Sequence, residues 1–286
     1  MSHMLFFGYG FCAAALSPLL AARGFQLSAT CRDEEKAAAL QSQNITPVRL
    51  SGAPLSQKTV ESATHILLSA PPQESGDPAL PLLKDALATQ RPAWMGYLST
   101  TGVYGDHGGA WIDEDTPPGP LGARGQRRVD AEAAWGGLAK RHDLPLHYFR
   151  LAGIYGPGRN QLSSVKNRTA RRIDKPEQVF SRIHVDDIAR VLLASIDRPR
   201  AGRAYNLCDD EPAPPQDVVA FAASLLGMPP PPLVPFAEAE LSPMARSFYA
   251  ENKRLKNDRL KDELGVTLKY PDYRSGLRAL FDAGAY

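Results

Sequence analysis

The sequence predicts an α/β protein in which a doubly wound, mainly parallel β-sheet is followed by a small, mostly helical C-terminal lobe. Short apolar segments of strand length alternate with segments that favour helix through most of the chain. A turn with two glycines follows the first apolar segment directly. The 286 residues, of which 43% are hydrophobic, suffice for one large domain with an additional lobe.

Composition and charge limit the partners and the cellular compartment that are expected for the protein. The net charge of +2 favours neither a nucleic acid nor a membrane surface as partner. Cys12, Cys31 and Cys208 are odd in number, far apart and without metal-ligand spacing, which predicts a reducing, cytoplasmic location and no metal site. The start of the chain lacks the basic residues of a signal peptide, and the apolar residues 11–22 are too few to span a bilayer.

The glycine turn has the spacing of a dinucleotide-binding loop. Residues 4–7 form the predicted first strand, and Gly8-x-Gly10-x-x-Ala13 follows it. Gly8 permits the tight turn, Gly10 lets the backbone approach a diphosphate, and Ala13 lets the helix pack closely. The helix begins at Phe11 and offers its N–H groups and the positive end of its dipole. All four residues are therefore predicted to bind the cofactor, and a glycine turn without a ligand is the alternative.

The residue after the second strand indicates which cofactor binds. Helix one is predicted over residues 11–23, with a kink at Pro18, and strand two over residues 25–31. At this position an acidic side chain binds the ribose 2′-OH, whereas an arginine accommodates a 2′-phosphate. Arg32 predicts NADP, and the neighbouring Asp33 keeps NAD as the alternative. An ordinary charge at a strand end is the other interpretation of Arg32.

The next segments continue the alternation. Helices are predicted over residues 33–43, 56–62 and 79–89, and strands over residues 47–50, 65–70 and 94–99. Ligands of an open α/β sheet bind at the carboxyl ends of its strands, so Ala70 and Pro71 are predicted to border the adenosine of the cofactor. A rigid turn is the alternative role of Pro71.

Hydroxyl side chains gather at the end of the fifth strand, where Ser99, Thr100 and Thr101 face the predicted cofactor cleft. The segment 98–106, Leu-Ser-Thr-Thr-Gly-Val-Tyr-Gly-Asp, resembles the active-site strand of the extended short-chain dehydrogenase/reductase family, in its NAD-dependent epimerase/dehydratase group. Three further segments are similar to parts of that family, and they comprise residues 150–159, 181–189 and 205–212. The resemblance therefore covers most of the chain up to residue 212.

This resemblance implies a Rossmann fold, an NAD(P) cofactor and roles for individual residues. Thr100 takes the place of the active-site Ser/Thr that binds a substrate oxygen, Ser99 borders the cofactor, and Thr101 borders the substrate. The chain turns basic after Gly158, in the region where the family grips a nucleotide diphosphate. Arg159 and Asn160 open that region and are expected to bind substrate, with a solvated helix face as the alternative.

The chain departs from the family at its acid–base pair. The family carries Tyr-x-x-x-Lys on the next helix, followed by Glu one turn later, and counting back from Glu132 places Arg124 and Arg128 at the two positions. A guanidinium stays protonated at any usable pH, so Arg124 cannot replace the phenol. Arg128 keeps a positive charge beside the nicotinamide ribose and is expected to serve both catalysis and cofactor binding. We therefore expect an atypical member with a degenerate motif.

Tyr104 is the remaining candidate for a catalytic proton donor, with structural packing as its alternative. His107 precedes two glycines in a loop expected to be mobile and is more typical of a surface histidine. Residues 1–158 and 181–210 are predicted to form the dinucleotide-binding domain, and residues 159–180 and 211–286 the substrate lobe. Later helices are expected over residues 188–195, after an N-capping Asp186 or Asp187, and over 217–226, 238–263 and 273–283.

Two functions of different class fit this sequence. The first is an NADP-dependent oxidoreductase or epimerase-like enzyme acting on a nucleotide sugar or another phosphorylated small molecule. The second is a non-catalytic NAD(P)-binding sensor or scaffold, which the replaced Tyr/Lys pair favours. The expected partners are a small-molecule substrate and a second copy of the chain in a homodimer, with no nucleic acid and no membrane.

Overall fold

The structure is a computed structural model that describes all 286 residues. Its strands are β1 (His3–Phe7), β2 (Gln26–Cys31), β3 (Thr46–Arg49), β4 (His65–Leu68), β5 (Trp94–Thr100), β6 (Trp111–Ile112), β7 (Leu146–Leu151), β8 (Gly153–Tyr155), β9 (Arg172–Asp174), β10 (Arg182–His184), β11 (Ala204–Leu207), β12 (Leu233–Pro235) and β13 (Arg254–Leu255). Its α-helices are α1 (Phe11–Ala21), α2 (Glu34–Gln41), α3 (Gln57–Glu61), α4 (Leu80–Leu87), α5 (Ala123–His142), α6 (Gln161–Lys166), α7 (Val185–Asp197), α8 (Pro215–Leu225), α9 (Pro243–Phe248), α10 (Asp258–Leu264) and α11 (Tyr273–Asp282).

The central sheet has seven strands in the order β11-β7-β5-β4-β1-β2-β3. The pairs β1–β2, β2–β3, β1–β4 and β4–β5 are all parallel. From β1 the chain first builds outward to β3 and then returns to build the other half from β4. The predicted doubly wound α/β fold is therefore confirmed, and its strand order reverses between β1 and β4. Ligands of such sheets bind where the order reverses.

Two compact units divide the chain, and the first comprises Met1–Thr100, Ala123–Arg150 and Ala189–Tyr205. After the histidine that begins each of them, the central strands β1 and β4 are apolar and buried, as is typical of parallel strands covered on both faces. Their side chains pack with those of neighbouring elements into one core, which includes Leu5, Phe7, Ile66, Leu68, Leu83, Met95, Tyr97 and Trp135. This core holds the end of β1 in place beside β4.

Helix α1 continues through Pro18, which has no N–H to donate to the carbonyl of Ala14. The Ser17 hydroxyl donates to that carbonyl instead, at 3.2 Å. The helix regains its ordinary pattern when the Ala22 N–H donates to the Pro18 carbonyl at 3.0 Å. A neighbouring serine thus supplies the hydrogen bond that the proline removes.

The second compact unit comprises Thr101–Gly122, Leu151–Ile188 and Asn206–Tyr286. Helices α6, α8 and α11 contribute to its core, which includes Tyr155, Leu162, Val165, Val218, Ala222, Tyr273 and Leu277. Three two-stranded parallel sheets, β8–β10, β9–β12 and β6–β13, complete it. The unit includes residues 101–122, which the predicted lobe division places with the dinucleotide-binding domain.

Two predicted elements of this unit are wrong. Residues 238–263 are not one helical region, because α9 and α10 are separated by β13. Helix α7 begins at Val185, so Asp186 and Asp187 lie inside its first turn rather than before it. The Asp187 carboxylate instead accepts the backbone N–H groups of Lys269 and Tyr270 at 2.7 and 2.9 Å.

No helix of the structure combines the length and the apolar character needed to cross a bilayer. No group of three or more His, Cys, Asp or Glu side chains is placed to hold a metal ion. Cys12, Cys31 and Cys208 are all buried.

Candidate functional site

The glycine loop begins at Gly8, directly after β1. Gly8 has φ +90°, and a Cβ built on it would lie 3.0 Å from both the Ala70 nitrogen and the Ser69 Oγ. Its N–H donates to the Thr30 Oγ1 at 2.9 Å, and its carbonyl accepts from the Ser69 hydroxyl at 2.6 Å. Conformation and space therefore both demand glycine here. Gly8 and Ala70 were predicted from the sequence, whereas Thr30 and Ser69 were not.

Gly10 differs from Gly8, because nothing crowds it. It is the N-cap of α1, with extended backbone angles of φ −114° and ψ −160°. A Cβ at this position would meet no atom within 4 Å. No side chain caps α1, and no acidic residue lies in its first turn. The fully buried Ala13 lets the helix pack closely. Open space before the positive end of a helix suits a diphosphate, and the residues present therefore fit this group.

Tyr9, between the two glycines, is held on the side of α1 and α2. Its hydroxyl lies 2.7 Å from the Ser17 Oγ and donates to the Gln43 Oε1 at 3.2 Å. The Lys36 ammonium lies 5.2 Å from the centre of its ring. The one large side chain of the loop, that of Tyr9, therefore contacts other residues of the protein.

The ends of β2 and β3 carry two exposed arginines, Arg32 and Arg49. Arg49 forms an ion pair with Glu34, at the start of α2. Asp33 is the N-cap of that helix, and its Oδ1 accepts the Lys36 N–H at 2.7 Å. One carboxylate oxygen of Asp33 is thus committed to the helix, whereas no ion pair engages Arg32.

A buried ion pair lies under the end of β5. The Ser99 hydroxyl donates to the Glu132 Oε1 at 2.5 Å. The other oxygen of Glu132 pairs with the Arg150 Nη2 at 2.7 Å, and the two side chains are 11% and 9% exposed. Because the one hydroxyl hydrogen of Ser99 is committed to Glu132, Ser99 can offer a ligand only its oxygen lone pairs. Thr100, the next residue, is half-buried.

Arg128, on α5, contacts the same strand end from a neighbouring position. Its Nη1 donates to the Leu98 carbonyl at 2.6 Å and to the Tyr97 hydroxyl at 3.2 Å. Tyr97 is fully buried, and this burial raises the pKa of its phenol far above the usual value. Arg124, one turn earlier on α5, is exposed. Arg128 thus holds the backbone that leads into Ser99.

Tyr104, in the second unit, is almost fully buried. Its hydroxyl donates to the Asn206 Oδ1 at 2.8 Å, and the Asn206 N–H donates to the Glu114 Oε1 at 2.8 Å. Burial raises the pKa of the Glu114 carboxyl. These contacts support the packing role that the sequence left as the alternative for Tyr104. The loop after it is also anchored, since the His107 N–H donates to the Asn252 carbonyl at 3.0 Å.

The candidate substrate residues Thr101, Arg159 and Asn160 also lie in the second unit. Asn160 is the N-cap of α6, and its side chain donates to the carbonyls of Gly156 and Ala285 at 2.8 and 3.2 Å. Thr101 is half-buried in a 3₁₀ turn, and Arg159 is exposed. Asn160 therefore has a structural role, and Arg159 remains accessible from solvent.

Within the first unit, the structure brings Gly8 and Ala70 together, and it joins Ser99 to Arg128 through Leu98. Pro71 is exposed next to Ala70, and Phe11 is half-buried at the start of α1. The residues missed by sequence, Thr30 and Ser69, are small hydroxyl side chains near the carboxyl ends of the strands that flank β1. That position is the one signal by which they could have been found.

A doubly wound parallel sheet with a glycine loop at its point of strand reversal defines the class of Rossmann-type dinucleotide-binding folds. Residues 81–208 match the model of the NAD dependent epimerase/dehydratase family. This segment of the chain is therefore similar to that family.

Three known proteins are similar to the chain. A functionally unknown conserved protein from Silicibacter pomeroyi is 51% identical, covers 100% of both chains and superposes with a TM-score of 0.91. The 3-diazoavenalumate denitrifying reductase of a Streptomyces species is 30% identical over 182 residues, which are 58% of each chain. The UDP-glucuronic acid 4-epimerase of Bacillus cereus, solved with UDP-glucuronic acid and NAD, is 16% identical, with 99% and 98% coverage and a TM-score of 0.76.

Proposed function

We propose that the chain is an NAD(P)-dependent oxidoreductase or epimerase-like enzyme of the cytoplasm. The observation that carries this proposal is the open space around Gly10, the N-cap residue of α1, where a Cβ would meet no atom within 4 Å. Gly8, Gly10, Phe11 and Ala13 would hold the diphosphate, and Ala70, Pro71 and Ser99 would line the rest of the cofactor. A bound nicotinamide would supply hydride transfer. The similarity of residues 81–208 to the NAD dependent epimerase/dehydratase family supports the same cofactor class.

NADP is the cofactor that we propose, with NAD as the alternative. Arg32 is exposed at the end of β2, where it can pair with a 2′-phosphate. Asp33, the acid that would bind a ribose 2′-OH, has one oxygen committed to the N-cap of α2. The Bacillus cereus epimerase binds NAD, which supports the alternative.

In the proposed reaction, Thr100 orients a substrate oxygen, and Arg128 supplies positive charge at the end of β5. Neither Arg124 nor Arg128 can exchange a proton at a usable pH. Tyr104 as proton donor is the weakest of the proposed roles, since its hydroxyl is engaged by Asn206. We therefore assign the proton to water or to a group not yet identified. The name of the Streptomyces relative, a reductase, supports chemistry that begins with hydride transfer.

The proposed substrate is a nucleotide sugar or another phosphorylated small molecule, bound through Thr101, Arg159 and neighbouring groups. Exposed Arg159 suits phosphate oxygens because its planar guanidinium can bind them bidentately. UDP-glucuronic acid in the Bacillus cereus epimerase supports this substrate class through the shared fold alone.

A non-catalytic NAD(P) sensor is the second candidate, and the engaged hydroxyl of Tyr104 favours it. One experiment separates the two. The purified chain is titrated with NADPH, NADH, NADP⁺ and NAD⁺ by fluorescence. Each complex is then mixed with a panel of nucleotide sugars while the nicotinamide absorbance and the identity of the sugar products are followed. Turnover of any panel member supports the enzyme, and tight binding without turnover across the panel supports the sensor.

A further inference from the structure

We infer that Thr30 and Ser69 are positioning residues, whose hydroxyls set the directions of the peptide groups around Gly8 before a dinucleotide binds. The two residues come from β2 and from the end of β4, the neighbours of β1 on its two sides. This inference rests on the proposed function, because the predicted effect is on ligand binding. It adds two residues that no glycine motif contains.

The first contact extends the hydrogen bonding of the sheet. The register of β1 with β2 ends where Phe6 lies opposite Ala29, so the Gly8 N–H is beyond the last paired residue. The Thr30 Oγ1 accepts this N–H at 2.9 Å. Thr30 is only 6% exposed, so water competes little for the bond. The side chain therefore fixes the peptide that enters the turn.

The second contact fixes the peptide that leaves the turn. The Phe7 carbonyl accepts from the backbone N–H groups of Ser69 and Ala70 at 3.0 and 3.2 Å, and the Ser69 hydroxyl then donates to the Gly8 carbonyl at 2.6 Å. In a planar trans peptide the carbonyl and the following N–H point in opposite directions. Ser69 thus draws the negative carbonyl of Gly8 towards β4 and turns the Tyr9 N–H away from it.

These anchors matter because glycine has the greatest backbone freedom of any residue. A Gly8 without them could rotate its peptides and present a carbonyl oxygen where a phosphate needs an N–H. Fixing the loop before binding removes an ordering penalty that the ligand would otherwise meet. Thr30 and Ser69 therefore act on affinity through the backbone and need not touch the ligand.

The test compares ligand affinity with stability in matched variants. Thr30→Val keeps the side-chain shape and removes the acceptor, Ser69→Ala removes the donor, and Thr30→Ser restores a hydroxyl. Thr46→Val, at an exposed threonine of β3, is the control. The Kd values of NADPH and NADH are measured by calorimetry, and the melting temperature of each ligand-free variant is measured beside them.

We expect Thr30→Val and Ser69→Ala each to raise the Kd at least tenfold, and Thr30→Ser and Thr46→Val to bind like the wild type. A merely structural role would lower the melting temperature and leave the Kd of the folded protein unchanged, which would overturn the inference. If Thr30→Ser bound the cofactor as weakly as Thr30→Val, that result would overturn the role of the Thr30 hydroxyl. A wild-type chain that binds neither cofactor would overturn the proposed function itself, whereas wild-type binding with unchanged variants overturns only the positioning roles.

Discussion

At the residue scale, many polar side chains of the candidate site hold backbone or other side chains in place. Arg128 holds the Leu98 carbonyl, Asp33 holds the start of α2, and Ser99 donates to Glu132. Of the two arginines proposed for ligands in this unit, Arg32 is exposed and Arg128 is half-buried. Cofactor selectivity is therefore the property that a single substitution can change most directly.

Arg32→Asp should reverse the preference between the two cofactors. It removes a cation that can pair with the 2′-phosphate and adds an acid that can accept from a ribose 2′-OH. We expect the Kd of NADPH to rise by about tenfold or more, since charge-assisted hydrogen bonds contribute roughly 1.5–3 kcal/mol. The Kd of NADH should stay level or fall in the same fluorescence titrations. Arg278→Asp, an exposed site on α11, is the control, and an unchanged ratio of the two Kd values in Arg32→Asp would refute the cofactor assignment.

Glu132→Gln should destabilise the protein strongly. It leaves the Arg150 guanidinium buried without its countercharge, a change that costs about 3–5 kcal/mol at buried pairs. The exposed pair of Arg91 and Asp143 is the matched control, and Asp143→Asn should change the free energy of unfolding by less than about 1 kcal/mol. Urea titrations measure both values. If the two substitutions lowered the free energy of unfolding equally, burial would not explain the contribution of the Glu132–Arg150 pair to stability.

At the element scale, strand positions were predictable wherever the apolar pattern was strong. Strands β1, β2, β4 and β5 lie within about one or two residues of their predicted bounds, because parallel central strands are continuous apolar runs. The prediction of one helical region over residues 238–263 was wrong because their charged pattern resembles that of an exposed helix. Contacts with residues distant in sequence determine the structure of this segment. For the same reason, the hydrogen bond of Ser99 to Glu132, which lies 33 positions away, could not be predicted from the sequence. The glycine loop was found from local spacing, and the residues that hold it were not.

Asn252 illustrates such a distant contact and carries the prediction at this scale. Its Oδ1 accepts the Val179 N–H at 3.2 Å, its Nδ2 donates to the Glu177 carbonyl at 3.1 Å, and its N–H donates to Asp106 at 2.7 Å. Asn252→Ala removes the two side-chain bonds and should cost about 1–3 kcal/mol in urea unfolding. Asn167→Ala, at an exposed position, should cost less than about 0.5 kcal/mol. If the two variants unfold alike, Asn252 does not join these segments.

At the scale of the whole molecule, buried histidines link stability to pH. The His147 ring lies near the Met95 carbonyl at 3.1 Å and accepts the Arg200 N–H at 2.7 Å, an arrangement that suits the neutral ring. Burial lowers the pKa of His147 and lowers that of His184 to about 4. Burial instead raises the pKa of the Asp77 carboxyl. The contribution of this carboxyl to the free energy of unfolding therefore changes with pH in the direction opposite to that of the histidines.

Stability should therefore fall in mild acid through these histidines. The unfolded chain, with histidine pKa values of about 6.5, takes up protons first as the pH falls. Each neutral histidine thus contributes fully above about pH 6.5 and progressively less below it. Urea titrations between about pH 7 and about pH 5 should show this slope, and His147→Gln should flatten it. An unchanged slope in His147→Gln would show that His147 binds protons equally in the folded and the unfolded chain, which would contradict this expectation.

The proposed function requires that the opening at Gly10 receive a dinucleotide diphosphate. Calorimetric titration of wild type and Gly10→Val with NADPH and NADH tests this claim. A valine fits the extended backbone of Gly10 and meets no protein atom near its Cβ, so the fold should survive while the opening is filled. Gly137→Val, at an exposed glycine of α5, is the matched control. We predict binding by wild type and Gly137→Val and no heat of binding with Gly10→Val. Absence of binding by the wild type, or wild-type affinity in Gly10→Val, would contradict the claim.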